Sequence, residues 1–120
     1  MTRYQFPKKR RSPRYLNASA GGSVASTPEV KVKRRVVEQL KELGAYYFYP
    51  VTGGYGSSGV PDIVGCFHGK FFAIECKAGS NKPTPLQQKN LDSIENALGA
   101  AIVVNEVNMN EVKTWLTNLL

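Results

Sequence analysis

Asp62, Glu75 and Lys77 have the types and spacing to do chemistry together. Asp62 follows a Gly59-Val60-Pro61 turn. Glu75 and Lys77 stand two residues apart at the end of the apolar run Phe71-Phe72-Ala73-Ile74. Side chains alternate across a strand, so Glu75 and Lys77 share one face while Ile74 and Cys76 take the other. The dipeptide His68-Gly69 suits a two-residue hairpin turn, because glycine tolerates the positive φ such turns require. A register that pairs Phe67 with Lys70 across that turn carries on to pair Asp62 with Glu75. Directly opposed residues have Cβ atoms roughly 4.5–5.5 Å apart. Two carboxylates that close repel each other unless a cation neutralises them. Hard oxygen donors favour Mg2+, with Mn2+ as a substitute. Two acids and a lysine at one spot are the groups that metal-assisted hydrolysis of a phosphodiester calls for.

Glu-x-Lys by itself is a common solvated pair. Here the strand is otherwise apolar, Asp62 falls at the cross-strand position, and a Gly-x-Pro turn precedes it. Other constellations are weaker. Cys66, His68 and Cys76 lack a fourth ligand, and Cys76 faces away from Glu75, so a structural zinc site is not expected. The glycine-rich stretch from Gly53 to Gly59 has no Lys-Ser/Thr after it, which argues against a nucleotide-phosphate cradle. Trp115 reads as a core residue of the last helix.

The elements that must position these residues can be read in order. Thr27 is a helix N-cap with Pro28 at the first helical position, and Gly44 ends the helix over 28–43. Val32, Val36, Leu40 and Leu43 form its apolar face. Residues 45–51 are rich in Tyr and Phe and predict a strand. A loop over 52–59 leads to strands over 62–67 and 70–77. Thr84-Pro85 repeats the cap-then-proline signal and starts a helix to about residue 98, with Leu86, Leu91, Ile94 and Leu98 inward. A strand over 100–104 follows. A last helix starts at Asn108 or Asn110, with Val112, Trp115, Leu116 and Leu119 inward. The α-β-β-β-α-β-α order predicts an α/β fold whose mixed four-stranded sheet is flanked by helices.

The 120 residues suit one folded domain, here residues 27–120, preceded by a basic arm and an Ala/Gly/Ser-rich linker over 1–26. The net charge of +7 sits almost wholly in that arm. Arg3, Lys8, Lys9, Arg10, Arg11 and Arg14 have no acid among them, whereas residues 27–120 carry ten basic and nine acidic side chains. A cationic tail suits a polyanion, because binding releases condensed counterions. Two cysteines in apolar runs fit an intracellular protein. No run approaches the roughly 20 apolar residues of a membrane span, so no membrane association is expected.

Gly59-Val60-Pro61-Asp62-Ile63, Glu75-Cys76-Lys77 and Thr84-Pro85-Leu86-Gln87, in that order, resemble the PD-(D/E)XK nuclease superfamily. They are most similar to its virus-type replication-repair branch, VRR-NUC. The likeness spans about residues 28–105. It implies a restriction-endonuclease-like αβββαβ core, to which this chain adds a C-terminal helix. It further implies that Asp62, Glu75 and the Cys76 backbone carbonyl bind the metal and that Lys77 orients or activates the attacking water. Gln87 would face the same site, and an acid of the first helix would complete it directly or through water. Helical phase selects that acid. Glu29 shares the face of Val32, Val36 and Leu40, whereas Glu38 lies about 200° from Leu40.

Relatives often place a basic residue before the Gly-x-Pro-Asp turn. This loop offers Tyr55, Ser57 and Ser58 instead, so phosphate grip falls to Lys70, Lys82, the first-helix lysines and arginines, or Lys8, Lys9, Arg10, Arg11 and Arg14 of the arm. The resemblance implies a Mg2+-dependent DNA endonuclease acting on Holliday junctions or other branched DNA, working as a homodimer without a nucleotide cofactor. It would work inside a cell, among them a viral host cell. Two other functions are compatible with the same residues: a nonspecific or nicking nuclease, and a catalytically silent nucleic-acid-binding module.

Overall fold

The computed structural model describes residues 27–51 and 59–120. The arm and linker over 1–26, and the loop residues 52–58 with Tyr55, Ser57 and Ser58, lie outside the described residues.

Helix α1 spans Pro28–Leu43. The Thr27 hydroxyl accepts a hydrogen bond from the Val30 N–H at 3.2 Å, which satisfies one of the first-turn donors. At the other end Gly44 adopts a left-handed conformation, φ 70°, and its N–H closes the helix. Strand β1 covers only Tyr46–Phe48. It is shorter than the 45–51 expected, because Pro50 has no N–H to give to a ladder. Strands β2, Ile63–Phe67, and β3, Lys70–Cys76, form the hairpin. His68 and Gly69 both have positive φ, 50° and 80°, as a tight hairpin turn requires. Helix α2, Pro85–Asn96, crosses over to β4, Ala100–Val104. A 3-10 turn over Met109–Glu111 leads into α3, Val112–Thr117.

The sheet order is β1-β2-β3-β4. The first three strands are antiparallel neighbours, and β4 runs parallel to β3. This mixed four-stranded sheet with flanking helices is the α/β architecture expected. Phe72, Ile74 and Cys76 of β3 join Val32, Val36 and Leu40 of α1 and Val112 and Leu116 of α3 in one buried core. Each such side chain contributes about 1.5–3 kcal/mol by leaving water. Ala73 and Glu75 of β3 therefore look towards the α2 side. At the centre of the sheet, Gly65 lets β1 and Phe72 close in: a Cβ there would collide with the Tyr46 carbonyl oxygen and meet the Phe72 ring at 2.7 Å.

Two inward positions expected on α2 come out differently. Leu91 is buried, but Leu86 and Leu98 are exposed, at 39% and 80%. The helix ends at Asn96, so Leu98 falls beyond it, in a left-handed conformation with φ 70°. Leu86 lies in the first turn, where it borders Gly59 rather than the core.

Gln39 is a buried polar residue on the core side of α1, 1% exposed. Its amide donates to the carbonyls of Arg35 and Met109, and its oxygen accepts from the Lys113 N–H. One side chain thus ties α1 to the 3-10 turn and to α3. Gln39→Ala removes three part-buried bonds to the backbone of Arg35, Met109 and Lys113. It should cost about 2–4 kcal/mol, read as a lowered denaturant midpoint at unchanged slope. A Gln39→Ala midpoint equal to wild type would show that the tie is dispensable.

Candidate active site

The β2–β3 register pairs Ile63 with Ile74, which sets Asp62 level with Glu75 just beyond the last ladder pair. Three further features hold Asp62 there. Gly59 and Pro61 are buried. Gly59 sits so close to α2 that a Cβ on it would meet the Leu86 backbone and side chain at 2.7 Å. The Asp62 carboxylate accepts a hydrogen bond from the Cys76 N–H at 2.8 Å. The first acid is thereby fastened to the backbone of the strand that carries the second.

Glu75 is 2% exposed, and its Oε2 has no hydrogen-bond partner among the described residues. Its other oxygen lies 3.6 Å from Lys77 Nζ. Burial, then the negative charge of Asp62, push the Glu75 carboxyl up to about 7, with Lys77 pulling the other way. A buried carboxylate beside a second carboxylate, with one cation nearby, keeps surplus negative charge in a place water cannot screen.

That donor set fits a divalent cation. Two hard carboxylate groups converge, and one buried oxygen has no other ligand. Among the described residues no group of three or more His, Cys, Asp and Glu side chains gathers around a common point, so the side chains supply two donor groups rather than three.

Glu29 lies in the exposed first turn of α1. It is an electrostatic neighbour of the Cys76 thiol, as are Asp62, Glu75 and Lys33. Glu29 therefore borders the site at the helix end but does not join the acid pair. Burial, with the acids as the next cause, pushes the Cys76 thiol up to about 12, which leaves it inert as a nucleophile. Cys76 faces the core, as strand alternation requires, and Cys66 lies free on the exposed side of β2.

Gln87 closes a capping box with Thr84. Its side-chain oxygen accepts from the Thr84 N–H at 2.9 Å, and its own N–H donates to the Thr84 hydroxyl at 3.2 Å. The Thr84-x-x-Gln87 spacing carries that signal in the sequence. No hydrogen bond joins Gln87 to Asp62, Glu75 or Lys77 among the described residues. Lys70 stands at the hairpin end of β3, about 17 Å from Glu75 at ~3.4 Å per residue. It donates to the Leu98 carbonyl at 2.7 Å. Lys82 is exposed in the loop before α2.

A mixed sheet that brings an acid after a Gly-x-Pro turn level with Glu-x-Lys on the neighbouring strand defines the PD-(D/E)XK class of fold. Comparison with known proteins agrees. A solved structure of a VRR_NUC domain matches 79% of this chain and all of its own length, with TM-score 0.63 and 20% identity. "Putative nuclease p44" of Acyrthosiphon pisum secondary endosymbiont phage 1 is 32% identical over 77 residues, which is 63% of this chain and 80% of the phage protein. No family model matches the sequence. The chain belongs to the same family as this phage protein, and its fold is that of a VRR_NUC domain.

Proposed function

We propose that this protein is a Mg2+-dependent endodeoxyribonuclease that hydrolyses phosphodiester bonds in branched DNA, acting as a homodimer. The observation that carries the reading is the buried Glu75 oxygen without a partner beside Asp62. An acid pair in that position destabilises the sheet, and a module that only bound nucleic acid would gain nothing from it. Asp62 and Glu75, with the Cys76 carbonyl, would hold the cation, and Glu29 would add a contact through water. The bound metal would supply an activated water and charge neutralisation at the scissile phosphate.

The chain's own groups do the rest. The Cys76 N–H fixes the Asp62 carboxylate. Lys77 stays close to Glu75, a half-buried ammonium able to orient the attacking water or a phosphate oxygen. In the reaction a water oxygen bonds to phosphorus, the bond to the 3′-oxygen breaks, and that oxygen takes up a proton, leaving a 5′-phosphate. Membership of a nuclease family and the phage relative's name support this assignment. Among the described residues no helix is long and apolar enough to cross a membrane.

The test is incubation of the full chain with Mg2+ or Mn2+ and a panel of linear, nicked, flap and four-way-junction DNA. Cleavage is expected, strongest on branched substrates, and lost in Asp62→Ala. Absence of cleavage of every substrate with either metal would overturn the assignment. Equal cleavage of linear and branched DNA would leave a nonspecific nuclease.

A further inference from the structure

We infer that the groove between α1 and the end of β1 is a binding track for a phosphodiester backbone, seating a DNA strand beside the acid pair. This rests on the nuclease reading for its ligand, but the groove itself is built from independent features. It encloses about 320 Å³ and is lined by Val30, Lys33, Arg34, Val37, Lys41 and Tyr49, with Glu38 at its border.

The α1 residues recur at helical spacing, so they form one stripe along the flank of the helix, beside the buried Val32, Val36 and Leu40. From Val30 to Lys41 the stripe runs about 16 Å at ~1.5 Å per residue.

Charge favours a polyanion there. None of Lys33, Arg34 and Lys41 is in an ion pair with a carboxylate among the described residues. The bordering acid, Glu38, is already engaged by Arg35 at 3.2 Å. The groove therefore offers three uncommitted cations and no uncommitted anion. Lys33 Nζ lies 4.6 Å from the centre of the Tyr49 ring, which holds the half-buried ammonium over an aromatic face. Tyr49 is 46% exposed and Val30 40%, so the groove is open to a ligand.

The sheet register relates the groove to the acid pair. Phe48 pairs with Val64 and Ile63 with Ile74, so Tyr49, just past the end of β1, lies at the end of the sheet where Asp62 and Glu75 stand. Lys33, over the Tyr49 ring, is on that side of the groove. Lys33 is placed as a positioning residue: it would hold a phosphate near the scissile one without touching the reacting atoms.

The experiment measures binding of a fluorescent DNA duplex to the full chain in EDTA, where cleavage is suppressed, over a series of salt concentrations. Each phosphate neutralised contributes about 0.9 to the slope of log K against log salt. Lys33→Ala, Arg34→Ala and Lys41→Ala should each lower that slope by about 0.9, and the triple variant should bind at least tenfold more weakly at 100 mM salt, the weakening expected of two to three lost contacts. Lys33→Arg should keep the slope. Lys113→Ala, whose ammonium pairs with Glu42 at 3.2 Å, should not change it. Unfolding temperatures of the variants should match wild type, since the replaced groups are not in the core.

An unchanged slope in the triple variant would overturn the track. Loss of binding to poly-glutamate with no loss towards DNA would assign the groove to an acidic protein partner instead. If wild type cleaves DNA while the slope stays fixed, only the track fails. If the slope falls while wild type cleaves nothing, only the nuclease reading fails.

Discussion

Glu75→Gln should abolish cleavage and at the same time make the metal-free protein harder to unfold at pH 8. The first half follows from what the carboxylate is for. Loss of one carboxylate ligand removes several kcal/mol of transition-state charge stabilisation. At 1.36 kcal/mol per factor of ten, a loss of about 4 kcal/mol is roughly 10³-fold in rate. The second half follows from where the carboxylate sits. Glu75 is buried against Asp62 with one oxygen unsatisfied, so ionising it is unfavourable in the folded state. A neutral amide of the same shape removes that repulsion, keeps an acceptor for Lys77, and can donate to Asp62. Stability gained as activity is lost is the expected sign of a strained functional position. Single-turnover cleavage and a thermal melt in EDTA on the same preparation would read both. A Glu75→Gln protein that still cut DNA at the wild-type rate would remove Glu75 from the site. One that melted below wild type at pH 8 would contradict the burial argument.

Local signals carried much of the fold. Thr27-Pro28 and Gly44 bound α1 as written in the sequence, and His68-Gly69 sets a hairpin register that brings Asp62 level with Glu75. These are short-range rules, in which a cap, a proline or a positive φ acts within a few residues. What depends on distant neighbours was not legible. Leu86 and Leu98 continue the apolar period of α2, but the helix stops before the second, and the first meets the Gly59 turn. Glu29 shares the helical phase of Val32, Val36 and Leu40 yet is exposed in the first turn, which phase alone does not show. The isolation of Glu75 Oε2 needs the strand, its parallel neighbour β4 and the covering helix together. Gln39 sits one residue before Leu40 on the apolar stripe, and only the packing of α3 shows why a polar side chain is buried there.

Stability of the metal-free protein should fall as pH rises, and a divalent cation should reverse that trend. The Glu75 carboxyl is raised from 4.5 to about 7 in the folded state, chiefly by burial and then by Asp62. A raised pKa means that the folded protein binds the proton more tightly than the unfolded chain. The contribution is fully present below about pH 4.5 and is lost as pH climbs through about 7. Over that window it amounts to no more than about 3 kcal/mol, at 1.36 kcal/mol per unit. Glu75→Gln isolates it, because the amide does not titrate. The two proteins should melt closest together near pH 5, and wild type should melt lower by roughly 10–20 °C at pH 8, given roughly 4–8 °C per kcal/mol for a domain this small. A divalent cation binds the ionised acids, so its stabilisation of wild type should grow from pH 5 to pH 8. At a hundredfold excess over Kd it reaches about 2.7 kcal/mol, enough to offset most of the loss. In Glu75→Gln the metal-induced rise should shrink at every pH. Melting curves with Mg2+, with Mn2+ and with EDTA at three pH values separate these terms. A wild-type melting temperature that ignores both pH and metal would mean that the acid pair is not the cation site.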